Sequence, residues 1–285
     1  MTPTPISSIT LDGREFLVKR DDLVDKYLTG NKFRKLHPLL VTPNQTFNKI
    51  ISYGGTQSNA MLSISAMCKQ KGWEYIYYSK KISKTQEEKN SGNLYLAKML
   101  GMKHIQIPHS KYRDVIDELQ FNLDEKTFLI DQGGAIVAAK DGLDILAMEI
   151  REQRPNVKAL ATPSGTGTTA LFLALALPEY IVYTTPCVGD VNYLKKQMST
   201  LATIPENLVI LKPKKKYHFA KPYLNFLDIY KKTLLSGIEF DIIYAPGMWE
   251  CLVEQTDEKI MYIHSGGVSG NESMLERYKI LYQNP

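Results

Sequence analysis

The chain has 285 residues, 44% hydrophobic and 23% charged, with 35 basic against 30 acidic side chains and a formal net charge of +5. This balance excludes a disordered or fibrous polymer and leaves room for two globular domains of ordinary size, or one large one. The longest apolar run, Ala170 to Leu177, ends at Pro178, far short of a bilayer span, and Met1-Thr2-Pro3-Thr4-Pro5 lacks the charged start and apolar core of a secretory signal. Cys68, Cys187 and Cys251 are scattered without metal-ligand spacing and read as reduced thiols of a cytoplasmic protein. Lys212, Lys214, Lys215 and Lys216 form a short basic cluster without interleaved aromatic platforms, so a solvated loop is expected there rather than a nucleic-acid surface. The net positive charge suits anionic small molecules.

In chain order, the first expected strand is Glu15 to Lys19, followed by Arg20-Asp21-Asp22-Leu23. The two aspartates sit beside Arg20 and no histidine follows them at ligand spacing, so they read as an ion-pair cluster rather than a metal site. In Thr29-Gly30-Asn31-Lys32-Phe33-Arg34-Lys35-Leu36, a glycine and an asparagine suited to a sharp turn place Lys32 where a helix begins, and His37-Pro38-Leu39-Leu40 is expected to limit that helix. Arg34 and Lys35 would surround Lys32 with positive charge, favouring the neutral amine and hence a nucleophile able to form a Schiff base. Taken alone, the same residues describe a solvated basic helix face just as well.

The next segments alternate between strand and helix. Strands are expected at Lys49 to Tyr53, Glu74 to Tyr78, His104 to Ile107, Phe128 to Ile130, Ala159 to Thr162, Tyr180 to Tyr183, Leu208 to Ile210, Phe240 to Ile243 and Ile260 to Ile263. Helices are expected at Met61 to Lys69, Asn93 to Leu100, Tyr112 to Leu119, Ala138 to Glu152, Ala170 to Leu177, Val191 to Met198 and Tyr223 to Leu235, with another through Leu252 and an exposed loop over Ser79 to Ser91. This alternation predicts an α/β fold in which parallel sheets carry helices on both faces.

Several strands run into glycine-bearing turns. Gly54-Gly55-Thr56-Gln57-Ser58-Asn59 opens onto a helix, where Ser58 and Asn59 can reach a bound group or simply cap the first turn. Pro163-Ser164-Gly165-Thr166-Gly167-Thr168-Thr169 precedes an apolar helix and has the composition of a phosphate cradle, in which backbone N–H groups and hydroxyls donate to oxygen. It lacks the Gly-Lys-Ser/Thr ending of a nucleotide loop. Gly165, Gly167 and Ala170 match a loose dinucleotide fingerprint, but the following strand ends in Thr184-Thr185 with no ribose-binding acid, and Asp190 is placed to cap a helix. A single phosphate fits better. An amine at a helix start, a phosphate cradle and donors for ring substituents together meet the needs of a pyridoxal phosphate enzyme.

The sequence resembles the D-cysteine desulfhydrase and 1-aminocyclopropane-1-carboxylate deaminase family, of the tryptophan-synthase-β-like class of pyridoxal phosphate enzymes. The resemblance rests on Lys19 to Leu23, Gly30-Asn31-Lys32 with Arg34-Lys35-Leu36, Gly54 to Asn59, Ser164 to Thr168, Tyr217-His218-Phe219 and His264-Ser265-Gly266-Gly267, in family order along nearly the whole chain. It implies pyridoxal 5'-phosphate as cofactor, with Lys32 as its Schiff-base lysine, Asn59 on the ring hydroxyl, and Ser164, Gly165, Thr166, Gly167 and Thr168 on the phosphate. Gln57 and Ser58 would contact the substrate carboxylate, Ser58 assisting proton transfer, and Tyr244 would lie beside ring and substrate. The implied architecture is a large cofactor-binding domain, residues 1–48 and 131–285, with a smaller α/β domain, 49–130, inserted and closing over a cleft between them. A homodimer is implied, with a small amino acid as substrate and neither metal, nucleic acid nor membrane involved.

The chain also departs from the family. The residue after the matched tyrosine is a glutamate partnering the pyridine nitrogen in deaminases and often threonine in desulfhydrases, whereas here it is Ala245. Ser265 could supply a hydroxyl instead, which leaves the ring a weaker electron sink than a carboxylate would. The expected activity is therefore D-cysteine desulfhydrase-like elimination, with cyclopropane deamination as the alternative and cofactor binding without turnover as a third possibility. The segment after Phe219 lacks the family's Gly-Gly-Tyr spacing, and either Tyr217 or Tyr223 would have to stand in for the missing tyrosine.

Overall fold

Ile6-Ser7-Ser8-Ile9-Thr10-Leu11 alternates apolar and polar side chains ahead of Asp12-Gly13, the pattern of a hairpin. The computed structural model, which describes residues 2–134 and 138–282, folds this segment as β1 (Ile6–Leu11) antiparallel to β2 (Arg14–Lys19), with Asp12 and Gly13 both at positive φ in the turn. The strand expected at Glu15 is thus the second arm of a hairpin. The elements that follow are α1 (Asn31–Val41), β3 (Lys49–Tyr53), α2 (Asn59–Lys71), β4 (Glu74–Lys80), α3 (Lys84–Glu87), α4 (Gly92–Met99), β5 (Lys103–Ile107), α5 (Tyr112–Leu119), β6 (Thr127–Ile130) and α6 (Ala139–Gln153). After these come β7 (Ala159–Ala161), α7 (Thr168–Ala176), β8 (Ile181–Thr184), α8 (Val191–Ser199), β9 (Leu208–Ile210), α9 (Leu224–Leu235), α10 (Ala245–Gln255), β10 (Ile260–Ile263) and α11 (Asn271–Tyr282).

Among the described residues these strands form two sheets. One is ordered β1-β2-β10-β7-β8-β9 and is parallel except for the β1 edge; the other is ordered β5-β4-β3-β6 and is parallel throughout. Every strand of the second sheet lies within residues 49–130. The six-stranded sheet is covered on both faces. Leu143, Leu146, Leu171, Leu194 and Met198 from α6, α7 and α8 pack with Leu160, while Met248, Trp249 and Leu252 of α10 pack with Ala159 and Ala161. The period-2 alternation of β7 therefore feeds two separate cores. The α/β architecture with helices on both faces is as expected from the sequence.

Helix α1 joins the two halves. Phe33, Leu36 and Leu39 share a core with Ile50, Met61 and Ile64 of the second sheet's layer. From the same helix, Arg34 reaches the opposite way, 1% exposed, into a buried ion cluster. It donates to both oxygens of Asp21 at 2.8 and 3.0 Å and to both oxygens of Glu149 at 2.6 and 2.9 Å, and Lys19 pairs with Glu149 at 2.9 Å. Asp21 and Asp22 are thus ion-pair residues, Asp22 with Arg20 at 2.7 Å. Pro38 does not end α1, which continues to Val41. The carbonyl that Pro38 leaves without a helical donor is that of Arg34, and α6 crosses it at Gly142, where a side chain would put its Cβ 1.9 Å from that oxygen.

Two further expectations change. Phe240 to Ile243 is an apolar run but not a strand. Asn271 donates to Phe240 O at 2.9 Å and accepts from Ile242 N at 2.9 Å, while Asp241 Oδ1 accepts from Ile243 N and Tyr244 N at 3.1 and 2.6 Å. Side chains supply the partners that a sheet ladder would have given. Over 79–91, Ser79 is buried at the end of β4 and α3 interrupts the loop.

Removing one acid from the buried cluster leaves cations without their full complement. Glu149→Ala is expected to destabilise the protein by about 3–5 kcal/mol. Urea unfolding would show this as a lower midpoint at unchanged slope, and an unchanged midpoint would contradict it.

Candidate active site

The strand–turn–helix units deliver their turns to one cavity of about 370 Å³, within the range of small-ligand sites. Its wall includes Lys32 and Lys35 from α1, Gln57, Ser58 and Asn59 from the turn into α2, and Ser164 to Thr169 from the turn into α7. Asp241, Tyr244, Ser265 and Gly266 complete the side nearest α10 and β10. All the residues assigned to cofactor or substrate from the sequence therefore line one space. The turns follow the carboxyl ends of parallel strands, where α/β sheets present ligands.

Lys32 is placed by the junction of α1 with the turn after β10. Gly30, at φ 60° and ψ −139°, packs so closely on that turn that a Cβ would fall 2.0 Å from Ser265 O, and Asn31 N donates to the same oxygen at 3.3 Å. The turn is held from beneath by His264, whose Nε2 faces Glu239 O at 2.8 Å and whose Nδ1 accepts from Gly266 N at 3.0 Å. These two partners fix the neutral imidazole with its proton on Nε2. Burial keeps it neutral by pushing its pKa down, and it stacks on Phe240.

Burial lowers the Lys32 amine to a pKa of about 8, with the charge of Asp241 acting in the opposite sense. The shift toward the neutral amine expected from the sequence is found, but for a different reason. Arg34 points away into its carboxylates, so loss of water, rather than a positive field, sets the shift. Lys32 Nζ also donates to Asn31 Oδ1 at 2.9 Å.

Ser58 caps α2, accepting from Met61 N at 3.2 Å. Gln57 is exposed at the rim. In the cradle, Ser164 Oγ is 2.6 Å from Thr184 Oγ1, which itself donates to Thr162 O at 2.8 Å, so this side chain anchors the loop and leaves the backbone to face an anion. Thr166 and Thr168 share a hydrogen bond of 3.0 Å. Ser265 Oγ lies 3.4 Å from Thr162 Oγ1. Tyr244 meets Phe219 edge to face at 5.5 Å, and burial pushes its phenol pKa up. Neither Tyr217 nor Tyr223 lines the cavity: Tyr217 donates to Glu250, and Tyr223 accepts from His218 N.

Three cavity residues were given no contact with cofactor or substrate from the sequence. Thr169 closes the cradle run, and its buried Oγ1 has no hydrogen-bond partner among the described residues. Lys35 is 4% exposed, with burial and then the neighbouring Lys32 pulling its pKa well down, and no ion pair engages it among the described residues. Its spacing of three from Lys32 puts both on one helix face and was legible. Asp241, the sole acid among the described residues lining the cavity, is pushed up to about 6 by burial.

These features fit pyridoxal 5'-phosphate, the cofactor implied by the sequence. The unpartnered Thr169 hydroxyl, the free N–H groups opening α7 and the buried Lys35 amine suit an anionic end, and the Lys32 amine suits an aldehyde.

No family profile matches the chain. It is 23% identical over 302 residues to a Thermotoga maritima protein carrying the provisional name 1-aminocyclopropane-1-carboxylate deaminase, covering 95% of each chain. To the mitochondrial bifunctional D-cysteine desulfhydrase/1-aminocyclopropane-1-carboxylate deaminase of Arabidopsis thaliana it is 24% identical over 329 residues, 99% of this chain and 80% of that protein. A crystal structure described as an ACC deaminase homologue superposes with a TM-score of 0.81 at 22% identity, over 97% of this chain and 94% of the other. The fold is that of the tryptophan-synthase-β-like pyridoxal phosphate enzymes. Within that class, the resemblance to the D-cysteine desulfhydrase and aminocyclopropane carboxylate deaminase proteins is borne out from end to end.

Because Asp241 favours the charged amine, Asp241→Asn is expected to lower the Lys32 pKa below about 8. Capture of pyridoxal phosphate by the cofactor-free protein, followed by absorbance against pH, would then rise at lower pH in the variant. A shift in the opposite direction would contradict this.

Proposed function

We propose that the chain is a pyridoxal phosphate-dependent enzyme acting on a small amino acid, and that its reaction is α,β-elimination on a D-cysteine-like substrate. With one water consumed, the products are pyruvate, sulfide and ammonia. The cofactor supplies an aldehyde for the substrate amine and an electron-withdrawing ring that accommodates negative charge developing at Cα.

The protein's own groups divide the remaining work. Lys32 Nζ holds the cofactor and, when free, takes the Cα proton, a role matched by its pKa of about 8. Asn59 donates to the ring hydroxyl, and Ser164 to Thr168 hold the phosphate, with Thr169 and Lys35 added to that end. Ser58 and Gln57 orient the substrate carboxylate, and Tyr244 lies against the ring. The segments 1–48 and 131–285 form the larger lobe and 49–130 the smaller, whose closure brings Ser58 to the substrate and excludes water. The enzyme works as a homodimer in the cytoplasm. Cys68, Cys187 and Cys251 are all free, in keeping with a reducing compartment, and among the described residues no helix is long and apolar enough to cross a membrane.

The observation that carries elimination over ring opening is Ala245. It is 1% exposed, follows Tyr244 directly at the start of α10, and offers no acid to the ring nitrogen. That leaves the Ser265 hydroxyl, and a ring so partnered withdraws electrons less strongly. Expulsion of a thiol from Cβ tolerates the weaker sink better than opening of a cyclopropane. One observation favours the deaminase alternative: Asp241 puts a carboxylate in the cavity wall one turn before Ala245, its own carbonyl accepting from Ala245 N at 3.3 Å.

Purified protein is expected to show a visible cofactor band that Lys32→Ala abolishes, and to release sulfide and pyruvate from D-cysteine. The cyclopropane amino acid should yield no oxo acid until Ala245→Glu restores a carboxylate. Cofactor bound with sulfide from neither cysteine enantiomer would overturn the proposed reaction, and oxo acid from the cyclopropane substrate with the unaltered chain would favour the deaminase.

A further inference from the structure

Asn93 opens the first turn of α4 and is 0% exposed. Its side chain makes three hydrogen bonds, which use both amide protons and the carbonyl. Nδ2 donates to Gln57 O at 3.0 Å and to Asn59 Oδ1 at 2.8 Å, while Oδ1 accepts from Ser269 Oγ at 2.9 Å. The direction of this chain is determined by its chemistry. Gln57 O is a backbone carbonyl and can only accept, so the end of Asn93 facing it must be the amide nitrogen. The atom of Asn59 that meets this nitrogen must then be its oxygen. What remains of Asn59 is Nδ2, packed against Gly267, where a Cβ would lie 2.4 Å away.

We infer that Asn93 is the positioning residue that fixes the amide of Asn59 with its N–H groups, rather than its oxygen, presented to the cavity. The inference rests on the proposed function, since it concerns what the site demands of the bound ring. An Asn59 that can only donate would select a ring oxygen that accepts, and so would favour the deprotonated form of the cofactor's ring hydroxyl. Ser269 lies beyond β10 and Asn93 in the segment 49–130, so the same chain ties the two sheets' segments together behind the site.

The test uses Asn93→Asp, which keeps shape but removes both donors. The introduced carboxylate would face Gln57 O and Asn59 Oδ1 with acceptors only, and Asn59 would relieve this by turning its nitrogen to the carboxylate and its oxygen to the cavity. The ring hydroxyl would then have to keep its proton. Expected results are a visible cofactor band replaced by near-ultraviolet absorption and a cofactor affinity lowered about tenfold or more. Ser269→Ala, which removes only the outer donor, should fold normally and shift the same band less, with affinity lowered a fewfold. Circular dichroism melts separate folding from binding. If Asn93→Asp is unfolded, Ser269→Ala decides: an unchanged band and unchanged affinity overturn the inference. The same outcome in a folded Asn93→Asp overturns it directly, while the assigned function stands. Absence of any Lys32-dependent band in the unaltered protein would instead remove the function itself.

Discussion

Arg34 sits in a fork of four carboxylate oxygens with almost no contact with water, and much of the architecture is fixed by that arrangement. A guanidinium so enclosed is held by charge and by planar, bidentate geometry that lysine could not reproduce. Its partners come from distant parts of the chain: Asp21 follows β2 and Glu149 lies on α6. Pinning Arg34 therefore pins α1 to the larger sheet, while Phe33 and Leu36 bind the same helix to the smaller one. Lys32, two residues earlier, takes its place at the head of a helix clamped on both sides.

The cavity itself is poor in compensating charge. Two amines and one carboxyl line it among the described residues, and each is shifted toward its neutral form by burial. Such a space favours a ligand that brings its own negative charge to one end and a reactive carbonyl to the other. The cradle before α7 serves the first need through backbone N–H groups that require no ionisation, and the amine of Lys32 serves the second.

Much of this was legible in the sequence because parallel α/β units repeat a simple pattern: a short apolar strand, a turn with glycine or small polar residues, then a helix. Every residue chosen from those turns lines the cavity. What stayed hidden depends on partners remote in sequence. Asn93 looks like an ordinary polar residue at a helix start, because Asn59 and Ser269 lie 34 and 176 positions away. Asp241 was read as part of a strand, since Phe240, Ile242 and Ile243 are apolar and nothing local shows that Asn271 satisfies their backbone. Pro38 looked like a helix end, yet α1 runs through it to Val41, with α6 packed at Gly142 against the carbonyl that the proline leaves without a helical donor. By contrast, the missed hairpin at Asp12-Gly13 and the second amine at Lys35 were written in local spacing.

The ends of the larger sheet carry one more consequence. β9 is only three residues long, with Pro205 shortly before it and Lys212-Pro213-Lys214 just after, and Pro5 directly precedes β1 at the opposite margin. Unpaired strand margins invite a second chain to add on, and brevity, proline and lysine are the means by which proteins discourage it. The lysine cluster read as a solvated loop borders an open margin, one of its members held in place by Glu250 and Glu254. Self-association through sheet extension is thereby disfavoured.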